Sequence, residues 1–250
     1  MKGTDDLLAH GGAAALAALP VLPFDQWLRE GSEAALRSRL LQAFRLDGRR
    51  HRLIDRHFGA ADIPKAARLV ALIGGMGSNK TGAVADYLRR LPTAFSVTHR
   101  RSLADDQGRR FDLVVLREGD VCAADPLDFG QVDLAPRHLE RMAAEQEGFV
   151  TVVDSFHPGG SCELLPEHCA GAVLFIDEGD AFLRHVLMAQ TAIAGHRAEA
   201  LANLGACCRA AAQVVLAGAQ LDEITLDTFE QLCGDGVKAH VVESSLRPAA

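Results

Sequence analysis

Two short stretches of this sequence carry side chains that could together bind and cleave a nucleoside triphosphate. The first is GGMGSNKT at residues 74–81, and the second is IDEGD at residues 176–180. In the first, Lys80 would reach the β- and γ-phosphates and the Thr81 hydroxyl would hold Mg²⁺. In the second, Asp177 would hold Mg²⁺ and Glu178 would act as general base on the attacking water. The two stretches predict a site for ATP and Mg²⁺.

The stretch 74–81, called the glycine-rich loop below, follows the apolar run RLVALI and precedes a helical pattern. It matches the pattern G-x-x-x-x-G-K-[ST] except that Asn79 stands where the last glycine belongs. Asparagine adopts left-handed backbone angles more readily than most residues other than glycine. We therefore expect the loop to keep its turn into the helix with asparagine at this position. The alternative is a strand-to-helix turn with a surface lysine. The residues expected to contact the nucleotide are Gly74, Gly75, Met76, Gly77, Ser78, Asn79, Lys80 and Thr81.

The acidic pair Asp177–Glu178 also has a second reading when taken alone. An aspartate after a buried strand often caps the next helix, and a glutamate suits the first helical turn. The presence of the glycine-rich loop upstream favours the metal and base roles over the capping role.

Apolar runs alternate with helical patterns through most of the chain, which predicts an α/β fold. The predicted strands have continuous rather than alternating hydrophobicity, so we expect a mostly parallel sheet with helices on both faces. The strands are predicted at 68–74, 94–99, 111–116, 149–155, 171–178, 212–218 and 238–244. The helices are predicted at 80–91, 135–146, 180–194 and 196–211.

Three segments are predicted along the chain. Residues 1–23 are expected to be a weakly ordered tail, residues 24–62 a helical preface, and residues 63–250 the α/β unit that holds the glycine-rich loop. The preface is expected because apolar residues recur at broadly helical spacing up to about residue 58.

Composition narrows the class of protein. A hydrophobic content of 48% in 250 residues allows a large core, and the net charge of −7 does not indicate a general nucleic-acid binder. Basic residues are nevertheless enriched between Arg29 and Arg68. This stretch could be a solvated helical face or a patch that binds phosphate groups. The six cysteines lack C-x-x-C spacing, so cytosolic thiols are expected rather than zinc ligands. Without a basic leader or a long apolar run, we expect a cytoplasmic protein.

Four further stretches carry a resemblance to a known family. They are VTHRRSLADDQGRRF (97–111), VVDSFH (152–157), AFLRHVL (181–187) and VVLAGAQLDEITLDTFEQL (214–232). Together with the glycine-rich loop before them and DEGD (177–180) among them, these stretches follow the order found in the first RecA-like lobe of superfamily 2 helicases, which the chain resembles. It is most similar to plasmid and phage replication proteins related to origin-of-replication-binding helicases, including the cyanobacterial-type plasmid replication proteins.

This resemblance implies a P-loop NTPase whose Mg²⁺-dependent ATP hydrolysis is coupled to DNA during replication. DNA contacts would then come from Arg100, Ser102 and Ser155. The sequence departs from the family at Gly218 and Gln220, where acids are usual. In this family a second RecA-like lobe supplies arginine fingers, and the chain ends where that lobe would begin, so weak hydrolysis is expected. The alternatives are a degenerate or truncated module that binds ATP or DNA without turnover, and a small P-loop kinase.

Overall fold

In this computed structural model, the residues described are 49–116, 147–156 and 164–246. The chain divides into two compact units, Met1–Arg49 and Arg50–Ala250. The predicted tail (1–23), the preface as far as residue 48 and the predicted helix 135–146 lie outside the described residues.

Eight parallel strands form one sheet in the described part of the second unit, in the order β1-β8-β2-β7-β6-β3-β5-β4. This confirms the predicted α/β fold with a parallel sheet. The strands are β1 (Arg50–Ile54), β2 (Leu69–Gly74), β3 (Ala94–Thr98), β4 (Val114–Val115), β5 (Phe149–Val152), β6 (Val173–Ile176), β7 (Gln213–Gly218) and β8 (His240–Ser244).

Six α-helices connect these strands within the described ranges, and none of them is long and apolar enough to cross a membrane. They are α1 (Lys80–Leu88), α2 (Arg101–Phe111), α3 (Pro166–Cys169), α4 (Gly179–Met188), α5 (Arg197–Ala210) and α6 (Glu223–Cys233). Short 3-10 turns lie at Ala60–Asp62, Val153–Phe156 and Ala192–Gly195.

Both faces of the sheet are covered, as the continuous hydrophobicity of the strands predicts. Successive residues of a strand point to opposite faces, and all six residues of β2 are buried. Leu69, Ala71 and Ile73 belong to the core that includes Phe182 of α4 and Phe229 of α6. The intervening Val70 and Leu72 belong to a second core, together with Ala83 and Val84 of α1.

The predicted helical preface is wrong where the structure describes it. Arg50–Ile54 is the edge strand β1, paired with β8, and residues 60–62 form a 3-10 turn. An edge strand has one neighbour, and in β1 only Ile54 is buried, so it shows little of a strand's apolar pattern. Pairing with β8, far away in the sequence, decides its conformation.

Two other boundaries differ from the prediction. The stretch 97–111 was interpreted only as a motif, but its residues 101–111 form α2. This helix ends because Asp112 adopts a left-handed conformation (φ 60°), which leaves only Val114–Val115 of the predicted strand 111–116. The predicted helix 180–194 divides into α4, which ends at Met188, and the 3-10 turn Ala192–Gly195.

Candidate nucleotide-binding site

The two stretches that could do chemistry lie at the same edge of the sheet. In a parallel sheet all strands end on one side, and the glycine-rich loop follows β2 while Asp177 and Glu178 follow β6. Strand β7 lies between β2 and β6. With neighbouring strands about 4.8 Å apart, the two strand ends are about 10 Å apart, a span that a triphosphate and its metal ion can bridge.

Asn79 adopts the left-handed conformation (φ 65°, ψ 28°) just before α1. This confirms that an asparagine can form the turn for which the sequence pattern uses glycine. Gly77 also has a positive φ (80°), and a Cβ added there would meet nothing within 4 Å. The loop therefore turns sharply into the helix and is open at Gly77.

The backbone of Phe58 holds this loop from outside the motif. The N–H of Phe58 donates to the carbonyl of Ser78 (2.9 Å), and its carbonyl accepts from Nδ2 of Asn79 (3.0 Å). Its ring packs against Gly74, where an added Cβ would come within 3.0 Å of the ring. Asn79 thus supplies both the left-handed turn and a hydrogen bond that a glycine could not make.

The turn that follows Phe58 is held by a buried carboxylate. Asp62, only 1% exposed, accepts from both Arg56 (2.7 and 2.8 Å) and Arg52 (2.7 Å), and from the backbone N–H of Gly59 (2.9 Å). The side-chain hydrogen bond from Arg56 is the largest influence on the pKa of Asp62, which lies below its ordinary value. The segment that was predicted to be helical therefore braces the glycine-rich loop.

Lys80 folds its side chain back over the loop. Its Nζ donates to the carbonyls of Gly74 and Gly75 (3.0 Å for Gly75) and lies 3.2 Å from Oγ of Ser78. Burial lowers the pKa of Lys80, and the negative charges of Asp177 and Glu178 oppose this shift. The ammonium group therefore lies in the concave side of the loop and within electrostatic range of the β6 carboxylates.

The remaining predicted loop residues differ in exposure. Ser78 is buried and donates from Oγ to the carbonyl of Gly75 (2.7 Å). Met76 is 84% exposed at the tip of the loop. Thr81 is half-buried in the first turn of α1, where backbone N–H groups have no partner within the helix.

Asp177 is 6% exposed at the end of β6, whereas the side chain of Glu178 is 53% exposed. The Oδ1 of Asp177 accepts from the N–H of Glu178 (3.0 Å) and its Oδ2 accepts from Nε2 of Gln107 (2.9 Å). Burial raises the pKa of Asp177, and the Gln107 hydrogen bond and the charge of Lys80 act against this. Glu178, with φ 48°, also has a left-handed backbone, which turns the chain into α4.

Sequence reasoning did not identify Gln107 or Ser96. Gln107 lies in α2 and is fully buried, and its Oε1 accepts from Oγ of Ser96 on β3 (2.6 Å). A glutamine within a charged helical stretch resembles a surface residue, so only the packing of α2 on the sheet reveals it.

Two histidines, His99 and His185, lie beside Glu178 at this edge of the sheet. Nε2 of His99, directly after β3, lies 3.6 Å from Oε2 of Glu178. The ring centroid of His99 is 6.2 Å from that of His185, whose Nε2 is 3.1 Å from Oδ1 of Asp154. Thr191 donates to the same carboxylate oxygen (2.5 Å). Burial lowers the pKa of His99, although Glu178 partly opposes the shift.

The residues predicted to contact DNA follow the neighbouring strands β3 and β5. Arg100 is the exposed residue before α2, and Ser102 is exposed in its first turn. Ser155 lies in the 3-10 turn after β5. All three therefore lie at the same edge of the sheet as the glycine-rich loop, on the far side of β6.

The two positions at which the sequence departs from the pattern it resembles lie between the loop and the acidic pair. Gly218 ends β7, and a Cβ added there would come within 2.8 Å of Leu221. Gln220 is exposed in the connection to α6. A larger residue at 218 would require Leu221 to move, so the glycine suits this local packing.

The loop and the acidic pair fit a magnesium nucleotide by the chemistry of their donors. The loop offers a left-handed turn, a helix N-terminus and a lysine, which bind phosphate oxygens. Asp177 offers carboxylate oxygen, and Thr81 a hydroxyl, as ligands that suit Mg²⁺.

No protein-family model matches this chain, and no curated protein matches it either.

Proposed function

We propose that this chain binds a magnesium nucleoside triphosphate at the glycine-rich loop and hydrolyses it. One observation carries the proposal. The glycine-rich loop with Lys80 and the acidic pair Asp177–Glu178 lie at the same edge of the sheet, separated by the single strand β7. The left-handed turn at Asn79 supports it, because it directs the backbone into α1 as the phosphate-binding pattern requires. The unit would then be a P-loop NTPase, and ATP is the nucleotide that the family resemblance implies.

The residues present would divide the work of binding between them. The ammonium of Lys80 would leave the carbonyls of Gly74 and Gly75 and bind the β- and γ-phosphates. Thr81 and Asp177 would hold the Mg²⁺ ion, which neutralises phosphate charge when bound. Burial of Asp177 strengthens its attraction to a cation because the surroundings screen less than water.

Glu178 is the proposed general base. Its exposed carboxylate can reach a water molecule at the open edge of the sheet, while its backbone is fixed by the turn into α4. His99, 3.6 Å away, would hold the carboxylate in place until water and nucleotide are bound.

We further propose that the hydrolysis is coupled to DNA, as in the helicase lobes that the sequence resembles. Arg100 and Ser102 lie at the start of α2, and the same helix carries Gln107 in contact with Asp177. A ligand bound at the start of α2 would therefore act on an element that touches the proposed metal site. The cation that faces the γ-phosphate would come from a second RecA-like lobe, on this chain or another.

The second candidate is a module that binds ATP or DNA without turnover. Two observations favour it. Gly218 and Gln220 stand where the resembled family usually has acids, and His99 already contacts the carboxylate of Glu178 that would have to activate water. Measuring phosphate release with and without single- and double-stranded DNA separates the two. DNA-stimulated release supports the ATPase, whereas ATP binding with no release under any condition supports the module.

Nucleotide titration of the purified chain tests the shared premise. Replacing Lys80 with alanine should weaken binding of a fluorescent ATP analogue about 10- to 100-fold, because a charge-assisted contact to phosphate is lost. Lys65→Ala is the matched control, since Lys65 is an exposed lysine before β2, at the opposite edge of the sheet. Equal binding by the Lys80→Ala variant and the unsubstituted chain would rule out the site.

A further inference from the structure

The contact between α2 and the acidic pair was not predicted from the sequence, although Gln107 lies within the motif stretch 97–111. Gln107 bridges β3 and β6 by two hydrogen bonds, from Ser96 (2.6 Å) and to Asp177 (2.9 Å). Ser96 and Gln107 are fully buried and Asp177 is nearly so. Buried polar groups of this kind are costly unless they are paired, so this chain of three side chains has one strongly preferred arrangement.

The Asp177 carboxylate fixes which end of the glutamine amide faces it, because an ionised carboxylate only accepts hydrogen bonds. Oδ2 of Asp177 therefore accepts from the NH₂ group of Gln107, which leaves Oε1 of Gln107 to accept from the Ser96 hydroxyl. The other carboxylate oxygen, Oδ1, accepts from the N–H of Glu178. The carboxylate plane of Asp177 is therefore held at both oxygens, one by the backbone and one by α2.

The approach of α2 to the sheet depends on small residues. Ala104 packs in a cluster with Val150 and Val152 of β5. A Cβ added to Gly108 would come within 2.3 Å of the side chain of Val115. These two residues lie three before and one after Gln107, so the helix can lie close enough for the glutamine to reach β6.

We propose that Gln107 is a positioning residue that orients the Asp177 carboxylate for Mg²⁺, with the Ser96 hydroxyl anchoring the oxygen end of its amide. Partners of this kind fix the direction of a metal ligand, and their loss typically weakens metal affinity by about 10- to 100-fold. The inference rests on the proposed nucleotide site and adds to it a residue of α2. It also explains why a glutamine of α2 is buried against the sheet.

The test compares metal dependence with nucleotide binding in the full chain. Affinity for a fluorescent ATP analogue is measured in EDTA and then across a Mg²⁺ titration, for the unsubstituted chain and for Gln107→Met. Methionine has similar length and cannot donate. We expect nearly unchanged affinity in EDTA and a rise of about 10- to 100-fold in the Mg²⁺ concentration at half-maximal effect. Gln231→Met, at an exposed glutamine of α6, is the matched control and should follow the unsubstituted chain.

Each outcome decides a different statement. An unchanged Mg²⁺ midpoint in a folded Gln107→Met variant overturns the inference and leaves the nucleotide site standing, as does an equal loss of affinity in EDTA and Mg²⁺. If that variant does not fold, Ser96→Ala decides, since it keeps Gln107 but frees its amide. A raised midpoint in Ser96→Ala then supports the inference, and an unchanged one overturns it. Nucleotide binding that ignores Lys80→Ala overturns the proposed function and this inference with it.

Discussion

The left-handed turn at Asn79 gives a prediction whose size can be worked out from the structure. Replacing Asn79 with alanine removes the hydrogen bond to the Phe58 carbonyl, worth about 0.5–1.5 kcal/mol. It also leaves a Cβ-bearing residue without local compensation at φ 65°, which costs about 1–2 kcal/mol. The free energy of unfolding should therefore fall by about 2–3 kcal/mol. Asn79→Gly keeps the turn and loses the hydrogen bond, so its loss should be about 1 kcal/mol.

Gly82 provides a sharper form of the same prediction. A Cβ added to Gly82 would come within 2.1 Å of Oδ1 of Asn79, so Gly82→Ala must displace the Asn79 side chain from Phe58. Alanine is otherwise better than glycine in a helix by about 0.5–1 kcal/mol. Gly82→Ala should therefore stabilise the chain in the Asn79→Gly background and give no stabilisation, or a loss, in the natural one. The coupling energy should be about 1 kcal/mol.

Urea unfolding of the four chains of this cycle, together with Asn79→Ala as a fifth chain, measures both effects. Nucleotide affinity measured on the same samples should be retained by Asn79→Gly and weakened by Asn79→Ala, because only the former keeps the loop turn without strain. An Asn79→Ala variant as stable as Asn79→Gly would refute the argument from backbone conformation. An equal gain from Gly82→Ala in both backgrounds would refute the hydrogen bond to Phe58.

Two further substitutions test other parts of the site. Glu178→Gln should bind the ATP analogue nearly as well as the unsubstituted chain but lower DNA-stimulated phosphate release by about 10²- to 10⁴-fold, because the base is lost; unchanged release would exclude Glu178 as the base. Asp62→Asn should lower the free energy of unfolding at pH 7 by about 1 kcal/mol, because the side chain that accepts from Arg52 and Arg56 is then no longer negatively charged. The pKa of Asp62 is lowered in the folded state, so its contribution is present above the unfolded value of 3.8 and is lost as the pH falls through the folded value. Urea unfolding should therefore show the two chains converging at acid pH, and a difference that persists there would contradict the ion-pair explanation.

The sequence was sufficient for features whose cause is local or periodic. Continuous apolar runs predicted seven of the eight strands, because strands covered on both faces need apolar residues at every position. The glycine-rich loop and the acidic pair were placed at strand ends by their position after such runs. The tolerance of Asn79 for a left-handed turn is a property of the residue itself, and the structure confirms it. The roles of these residues in nucleotide binding remain predictions.

The sequence was not sufficient where the deciding contact is distant along the chain. Strand β1 was taken for a helix because its partner, β8, lies almost two hundred residues later and only Ile54 is buried. Gln107 could not be distinguished from a surface glutamine, because its two partners lie on β3 and directly after β6. The link from Asp62 through Phe58 to Asn79 joins a segment outside the motif to its centre.

The division follows from the range of the forces involved. Backbone propensity and hydrophobic period act over a few neighbouring residues, so a single stretch of sequence reports them. Strand order, and therefore which strand ends meet at one edge, is decided by packing and hydrogen bonding between distant segments. The sequence therefore determined which side chains could bind a nucleotide, and only the tertiary structure decided that Phe58 braces the loop and that Gln107 holds Asp177.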